Sequence, residues 1–107
     1  MYLKIGNGYD HLWNLNKKKD YDVYIKDEES GRSMKIATTQ KHVVIYSMNY
    51  ANGPILYDGQ PERVRYGICF ETQKPPIGRN QVFLEESILR PGEKYYHVTE
   101  YKFDIVK

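Results

Sequence analysis

The amino-acid sequence predicts an all-β fold with antiparallel strands. Helical periodicity is nearly absent, whereas short runs of β-branched and alternating residues recur along the chain. The segments between most of these runs are short, and short connections join antiparallel rather than parallel strands. Tyrosine is also abundant, with 11 residues against 3 phenylalanines, and it favours pleated surfaces that are half buried.

The first half of the chain contains two predicted strands joined by a turn. Residues 21–26 form a short β-rich run, and the polar residues 28–32 are typical of a hairpin turn. Apolar and polar side chains then alternate over residues 34–38, which predicts a half-buried strand.

Two more runs have the composition of central strands. Residues 42–48 (HVVIYSM) are rich in β-branched side chains, which predicts a strand covered on both faces. Residues 64–72 (VRYGICFET) have a similar pattern, with Gly67 as a candidate bulge.

The last run, residues 94–106, is predicted to be a long strand that places Tyr101, Phe103 and Ile105 on one face. The helical candidate at residues 85–89 is too short to be an independent helix and is followed by a Pro-Gly turn. Five or six strands and almost no helix are therefore expected.

Two connections are long, at residues 51–63 and 74–84, and both contain proline and glycine. Long irregular loops in a compact domain are usually functional or flexible.

Charge and composition exclude several classes of protein. The chain has 16 basic and 14 acidic residues, a net charge of +2, so a nucleic-acid partner is not predicted. No apolar run approaches the roughly 20 residues that a membrane helix needs, so a membrane partner is not predicted either. The single cysteine, Cys69, cannot form an internal disulfide, and within its apolar run it is expected to act as a small hydrophobic residue. A chain of 107 residues is predicted to be a single domain.

Metal and phosphate sites are not predicted. His11, His42 and His97 are far apart in sequence, and no cysteine pair accompanies them. The Gly6-Asn7-Gly8 segment lacks the third glycine and the following helix of a phosphate-binding loop.

Glu71 is the first candidate site residue, because it follows the apolar run Ile68-Cys69-Phe70 directly. One interpretation is a carboxylate that reaches water at the end of a strand, since glutamate is almost never buried without a partner. The other is a carboxylate at the mouth of a site, where partial desolvation would raise its pKa and suit it to act as a general base.

Asp10 is the second candidate, in the segment Gly8-Tyr9-Asp10-His11-Leu12-Trp13. It could form an Asx turn after the glycine. Alternatively, the segment could present a carboxylate, an imidazole and an indole together to a sugar, whose hydroxyls bind carboxylates and whose C–H faces stack on aromatic rings.

Several segments, in order along the chain, resemble motifs of the aldose 1-epimerases. They are GNGYDH at 6–11, SGRSM at 30–34, CFETQ at 69–73, SILRPGEKY at 87–95 and YKF at 101–103. Their order and spacing identify the chain as similar to the C-terminal part of that family, roughly its last third.

The resemblance implies a fold and a reaction. It implies an antiparallel β-sandwich that is part of a galactose-mutarotase-like supersandwich, with the chain as one partial domain over residues 1–107. It implies interconversion of the α and β anomers of aldohexoses such as galactose or glucose, without a metal or organic cofactor. Glu71 matches the family's catalytic base, and Asp10 matches the aspartate that holds sugar hydroxyls.

The chain also departs from the family pattern. The family's catalytic histidines, including the general acid, lie upstream of the segment that this chain matches, and His11 matches neither. Leu12 stands where the family usually has asparagine, and in the loop at residues 76–85 Gln81 replaces a histidine. We therefore expect a truncated gene product, a separately expressed fragment or one piece of a split protein, which leaves open whether Met1 is a natural start. We also expect that the chain self-associates or pairs with a missing N-terminal portion. A cytoplasmic location is favoured.

Two other functions stay open at this point. The chain could be a non-catalytic carbohydrate-binding or interaction module, or an inactive remnant. The motifs do not separate these from an active enzyme, because Glu71 and Asp10 could persist in all three.

Overall fold

The computed structural model describes residues 4, 6–17, 20–53 and 55–106, so the question of Met1 lies outside the described residues. Six strands and one short helix form this part of the chain: β1 (Asp10–Asn14), β2 (Val23–Lys26), β3 (Arg32–Thr38), β4 (His42–Tyr46), β5 (Cys69–Gln73), α1 (Leu84–Ser87) and β6 (Thr99–Ile105). The prediction of an all-β chain with almost no helix is confirmed.

The strands form two antiparallel sheets of three strands each, as expected for a β-sandwich, with orders β1-β4-β5 and β2-β3-β6. The described residues divide into two compact units. Unit 1 is the chain up to Trp13 together with Val44–Glu71, and unit 2 is Asn14–Val43 together with the chain from Thr72 onward. The single partial domain expected from the sequence stays a prediction.

The β2-β3-β6 sheet has one apolar face. Directly paired residues share a face in an antiparallel sheet, and the register pairs Ile36 with Val23 on one side and Tyr101 on the other. The same face therefore carries Val23, Ile25, Met34, Ile36, Tyr101, Phe103 and Ile105. The predicted common face of the last three residues is thus confirmed.

Burial is uneven across this face. Ile36, on the middle strand, is 0% exposed, whereas Phe103 and Ile105 on the outer strand β6 are 75% and 61% exposed. The core of unit 2 thus lies over β3, and the apolar surface of β6 is open to solvent.

The turn between β2 and β3 is built around Asp27. Its carboxylate accepts hydrogen bonds from the amide and the hydroxyl of Ser30, and these bonds hold the pKa of Asp27 below its ordinary value. A carboxylate whose pKa is lower in the folded chain stabilises the fold above its unfolded pKa, and this contribution is lost as the pH falls through the folded value. The predicted hairpin turn at residues 28–32 is confirmed.

The strand β4 lies in the middle of its sheet and is buried on both faces. Val43 and Val44 are 1% and 8% exposed, and successive strand residues point to opposite faces. This confirms the expectation for residues 42–48, although the strand ends at Tyr46.

The predicted central strand at residues 64–72 is wrong in its first half. Residues 64–66 form a turn, in which Arg65 has a left-handed φ of 68° and donates its amide to the carbonyl of Met48 at 2.9 Å. β5 therefore begins at Cys69 and lies on the outside of its sheet among the described strands. Consequently, Cys69 is exposed and is not the small core residue expected from the sequence.

The predicted strand at residues 94–106 is shorter than expected, because β6 begins at Thr99. The amide of Val98 donates to the side-chain oxygen Oγ1 of Thr39 at 3.0 Å. A hydroxyl thus takes the place of a backbone acceptor, and the regular ladder ends there.

The long loops are irregular, as expected. In the described part of residues 51–63 the structure has an isolated bridge between Ile55 and Pro61, and residues 74–83 contain no regular element. Within the described ranges, no helix is long and apolar enough to cross a membrane.

Removing the buried side chain at the centre of unit 2 should destabilise the fold. We expect Ile36→Ala to lower the free energy of unfolding by about 3 kcal/mol, because the substitution leaves a cavity under β3. Urea denaturation followed by tryptophan fluorescence measures the change. The same substitution at Ile55, which is 69% exposed, should change it by less than about 0.5 kcal/mol.

The open apolar face of β6 supports self-association. We propose that the chain forms dimers or larger species through this face, since exposed apolar patches and outer strands both promote association. Sedimentation of Phe103→Glu should shift toward monomer relative to the unmodified chain. Lys102→Glu, on the opposite face of the same strand, should leave the distribution unchanged. A wild-type chain that stays monomeric over a wide concentration range would contradict the proposal.

Candidate functional site

Asp10, the candidate for sugar binding, is the first residue of β1 and is exposed. Two backbone bonds fix the pairing of β1 with β4: the amide of Ser47 donates to the carbonyl of Tyr9 at 3.0 Å, and the amide of Leu15 donates to the carbonyl of Lys41 at 2.9 Å. A uniform antiparallel register between these bonds places Asp10 opposite Tyr46. Because Asp10 lies within a strand, the Asx-turn interpretation does not describe it.

Strand alternation separates Asp10 from the aromatic residues around it. Tyr9, His11 and Trp13 share one face of the strand, and the Tyr9 ring lies 5.9 Å from the ring of His11 and 6.5 Å from that of Trp13. Asp10 lies on the other face. The expectation that one surface presents the carboxylate, the imidazole and the indole together is therefore wrong.

The aromatic residue on the same face as Asp10 is Tyr46 of β4. Directly opposed side chains in an antiparallel pair have Cβ atoms roughly 5 Å apart, so a carboxylate and a phenol ring lie side by side at this edge. The sequence pattern did not indicate Tyr46 as a site residue. The β-branched run at residues 42–48 predicted the strand that contains Tyr46, but placing Tyr46 opposite Asp10 required the register of β1 against β4.

Glu71, the candidate base, lies in the middle of β5 and is exposed. The next residue, Thr72, belongs to a chain of hydroxyl contacts in unit 2: the Oγ1 atom of Thr99 lies 2.8 Å from that of Thr72 and 2.8 Å from that of Thr38. These contacts link β5, at the residue that follows Glu71, to Thr99 of β6 and Thr38 of β3. The interpretation of Glu71 as a carboxylate that reaches water fits its exposure in this chain.

The order of the strands places the two candidate carboxylates in one sheet. Asp10 and Glu71 lie on the two outer strands of one sheet, with β4 between them. Adjacent strands are about 4.8 Å apart, so β1 and β5 are separated by roughly 10 Å. The structure thus brings both carboxylates to the same sheet.

A polar cluster around the buried side chain of Asn49 holds the chain that leads into Asp10. We call it the Asn49 cluster; its members are Asn7, Tyr9, Ser47, Asn49 and Arg65. Asn49 is 4% exposed. Its Nδ2 donates to the carbonyl of Tyr9 at 2.9 Å, and its Oδ1 accepts from the Ser47 hydroxyl at 2.7 Å and from Arg65 Nη1 at 2.5 Å. Arg65 Nη2 also donates to the carbonyl of Asn7.

The residues of the described ranges contain no group of three or more histidine, cysteine, aspartate or glutamate side chains placed to hold a metal ion. His11 and His97 each have a polar contact at Nδ1, with the amide of Asp10 at 2.9 Å and the hydroxyl of Thr39 at 2.9 Å, respectively.

Comparison with known proteins decides the family. The sequence model described as aldose 1-epimerase matches residues 2–102, nearly the whole chain. The chain belongs to the aldose 1-epimerase family. Asp10 and Glu71 both fall inside the matched region of this epimerase-family chain.

Individual relatives agree with this assignment. The galactose mutarotases of Mus musculus and Homo sapiens are 34% and 35% identical over 102 residues, which is 92% of this chain and 30% of each relative. The aldose 1-epimerase of Escherichia coli strain K12 is 29% identical over 101 residues, 90% of this chain and 29% of the relative. The chain thus spans about 30% of the length of the curated relatives it matches.

Loss of the central amide of the cluster should destabilise unit 1. We expect Asn49→Ala to lower the free energy of unfolding by about 2 kcal/mol, because the Tyr9 carbonyl and the Ser47 hydroxyl lose a buried partner. Urea denaturation measures the effect. Asn52→Ala, at an exposed position of the same unit, is the matched control and should change the value by less than about 0.5 kcal/mol. Equal effects of the two substitutions would show that the cluster contributes nothing to stability.

Proposed function

We propose that this chain is the part of an aldose 1-epimerase that supplies the catalytic base and one sugar-binding carboxylate. The observation that carries the proposal is the family match over residues 2–102, which includes both Asp10 and Glu71. The names of the relatives, galactose mutarotase and aldose 1-epimerase, support an aldohexose such as galactose or glucose as the substrate. The predictions of no nucleic-acid partner and no membrane partner rest on the sequence.

In the proposed reaction Glu71 accepts the proton of the anomeric hydroxyl. As this O–H bond breaks, the bond between C1 and the ring oxygen breaks too, and a general acid gives a proton to the ring oxygen. The product is an open-chain aldehyde. Rotation about the C1–C2 bond exposes the other face of the carbonyl, and the reverse proton transfers close the ring as the other anomer.

Asp10 has the role of holding the sugar while the ring opens. A carboxylate accepts hydrogen bonds from hydroxyls, and the adjacent ring of Tyr46 offers an apolar surface to the C–H face of a pyranose. The separation of about 10 Å between β1 and β5 leaves room for a sugar between Asp10 and Glu71.

In this proposal the general acid comes from outside this chain. The resemblance assigns that role to histidines upstream of the matched segment, and His11 is not one of them. Glu71 is also exposed in this chain, whereas a general base gains from partial desolvation. We therefore propose that residues outside this chain provide both the acid and the remaining wall of the pocket.

The isolated chain should show little mutarotation above the buffer rate. A general acid contributes about 10²–10⁴-fold, and its absence should remove at least that factor. Polarimetry on freshly dissolved α-galactose and α-glucose measures the rate. The positive control is a chimera in which the upstream part of the murine galactose mutarotase precedes this chain. Circular dichroism checks that the chimera folds.

In that chimera Glu71→Gln should abolish mutarotation, because the neutral amide cannot accept the proton. Glu86→Gln, on the exposed helix α1, makes the same chemical change and should leave the rate unaltered. Full activity of the Glu71→Gln chimera would remove Glu71 as the base. Robust turnover by the 107 residues alone would show that the acid lies within this chain.

The exposure of Glu71 also favours a second candidate, a non-catalytic carbohydrate-binding module. This module would retain Asp10 and Tyr46 as a binding surface without an acid. The same experiments separate the two: a chain that binds galactose but forms no active chimera is a binding module, and a chain that does neither is an inactive remnant.

A further inference from the structure

The Asn49 cluster lies next to the proposed sugar-binding residue and concentrates unusual backbone geometry. Among the described non-glycine residues with positive φ, Asn7 (57°), Met48 (46°) and Arg65 (68°) lie in or beside this cluster. Such conformations are unfavourable for ordinary residues and persist only where surrounding contacts enforce them. Strain of this kind gathers at functional sites. The segment that the cluster holds, residues 7–9, leads directly into Asp10.

Arg65 is the residue that joins the separate segments. Its Nη1 atom donates to Asn49 Oδ1 at 2.5 Å and lies 3.3 Å from the carbonyl of Ser47, while its Nη2 atom donates to the carbonyl of Asn7. The planar fork of a guanidinium reaches two acceptors at once, which the single ammonium of lysine does not reproduce. Arg65 thus connects the turn at residues 64–66 to Asn7, which lies three residues before Asp10.

The space around Gly8 shows how closely this segment is held. A Cβ atom at Gly8 would lie 2.3 Å from Asn49 Oδ1, 2.7 Å from Ser47 Oγ and 2.8 Å from Arg65 Nη1. A side chain at this position would therefore displace the cluster. The close approach of backbone to cluster fixes the direction in which the chain enters β1.

We propose that Arg65 and Asn49 are positioning residues for Asp10. They fix the backbone of residues 7–9, so that the carboxylate of Asp10 is held beside Tyr46 in the geometry that binds sugar hydroxyls. This inference rests on the proposed function, since it concerns the same binding site. It assigns to a polar turn outside the family motifs a role in substrate affinity.

The first test measures whether Arg65 orders the segment. In the full 107-residue chain, NMR order parameters for the amides of Gly8, Tyr9 and Asp10 should fall from about 0.85 to below about 0.6 in Arg65→Met. Arg65→Lys should give intermediate values. Arg63→Met removes an exposed arginine two residues away and should leave the three amides unchanged.

The second test is a double-mutant cycle on galactose affinity, measured by NMR titration of the chimera with D-galactose. If Arg65 acts through Asp10, Arg65→Met should weaken binding about tenfold in the otherwise unmodified chimera and have no further effect in the Asp10→Asn chimera. A purely structural role of Arg65 would weaken binding equally in both backgrounds.

The outcomes separate this inference from the proposed function. Unchanged order parameters in Arg65→Met, or equal losses of affinity in both arms of the cycle, would overturn the positioning role while sugar binding itself stands. A folded chimera that neither binds galactose nor shows mutarotation would overturn the proposed function, and the inference with it. Loss of loop order together with a non-additive cycle supports the positioning role.

Discussion

Backbone hydrogen bonds along the two edges of β4 fix where both candidate carboxylates lie. β4 is the middle strand of its sheet, and its consecutive residues Val43 and Val44 are both buried. A buried strand must satisfy its amides and carbonyls, and it does so by pairing on both sides. β1, which carries Asp10, and β5, which carries Glu71, are held to these edges.

The segment before Asp10 is held by side chains in addition to the backbone bond from the Ser47 amide to the Tyr9 carbonyl. The amide of Tyr9 donates to the Ser47 hydroxyl at 2.9 Å, and its carbonyl accepts from Asn49 Nδ2. Each polar group of the buried Asn49 amide has a partner, so the cluster carries little of the cost that unpaired buried groups impose. Irregular backbone beside the candidate site is stable here because a polar network adds side-chain hydrogen bonds where the strand pairing ends.

The apolar surface is distributed in a way that fits a chain with a missing partner surface. Ile36 is fully buried, while on the same face Phe103 is 75% exposed. The family relatives are also much longer, since the matched region is about 30% of their length. Together these observations give the proposed self-association and the proposed need for further residues at the site one physical origin, which is surface that this chain alone leaves open to solvent.

The sequence by itself determined the family, through the order and spacing of its motifs. It also determined the all-β class and most strand positions, because alternation and β-branched runs are local signals. It could not determine where the run at residues 64–72 becomes a strand, since the left-handed turn at Arg65 depends on a bond to Met48, 17 residues earlier. It also could not separate Asp10 from His11 and Trp13, or place it beside Tyr46. The separation follows from alternation along β1, a strand that the sequence pattern did not predict, whereas the neighbourhood of Tyr46 is a property of strand pairing, since only the tertiary structure brings residues that are distant in sequence into register.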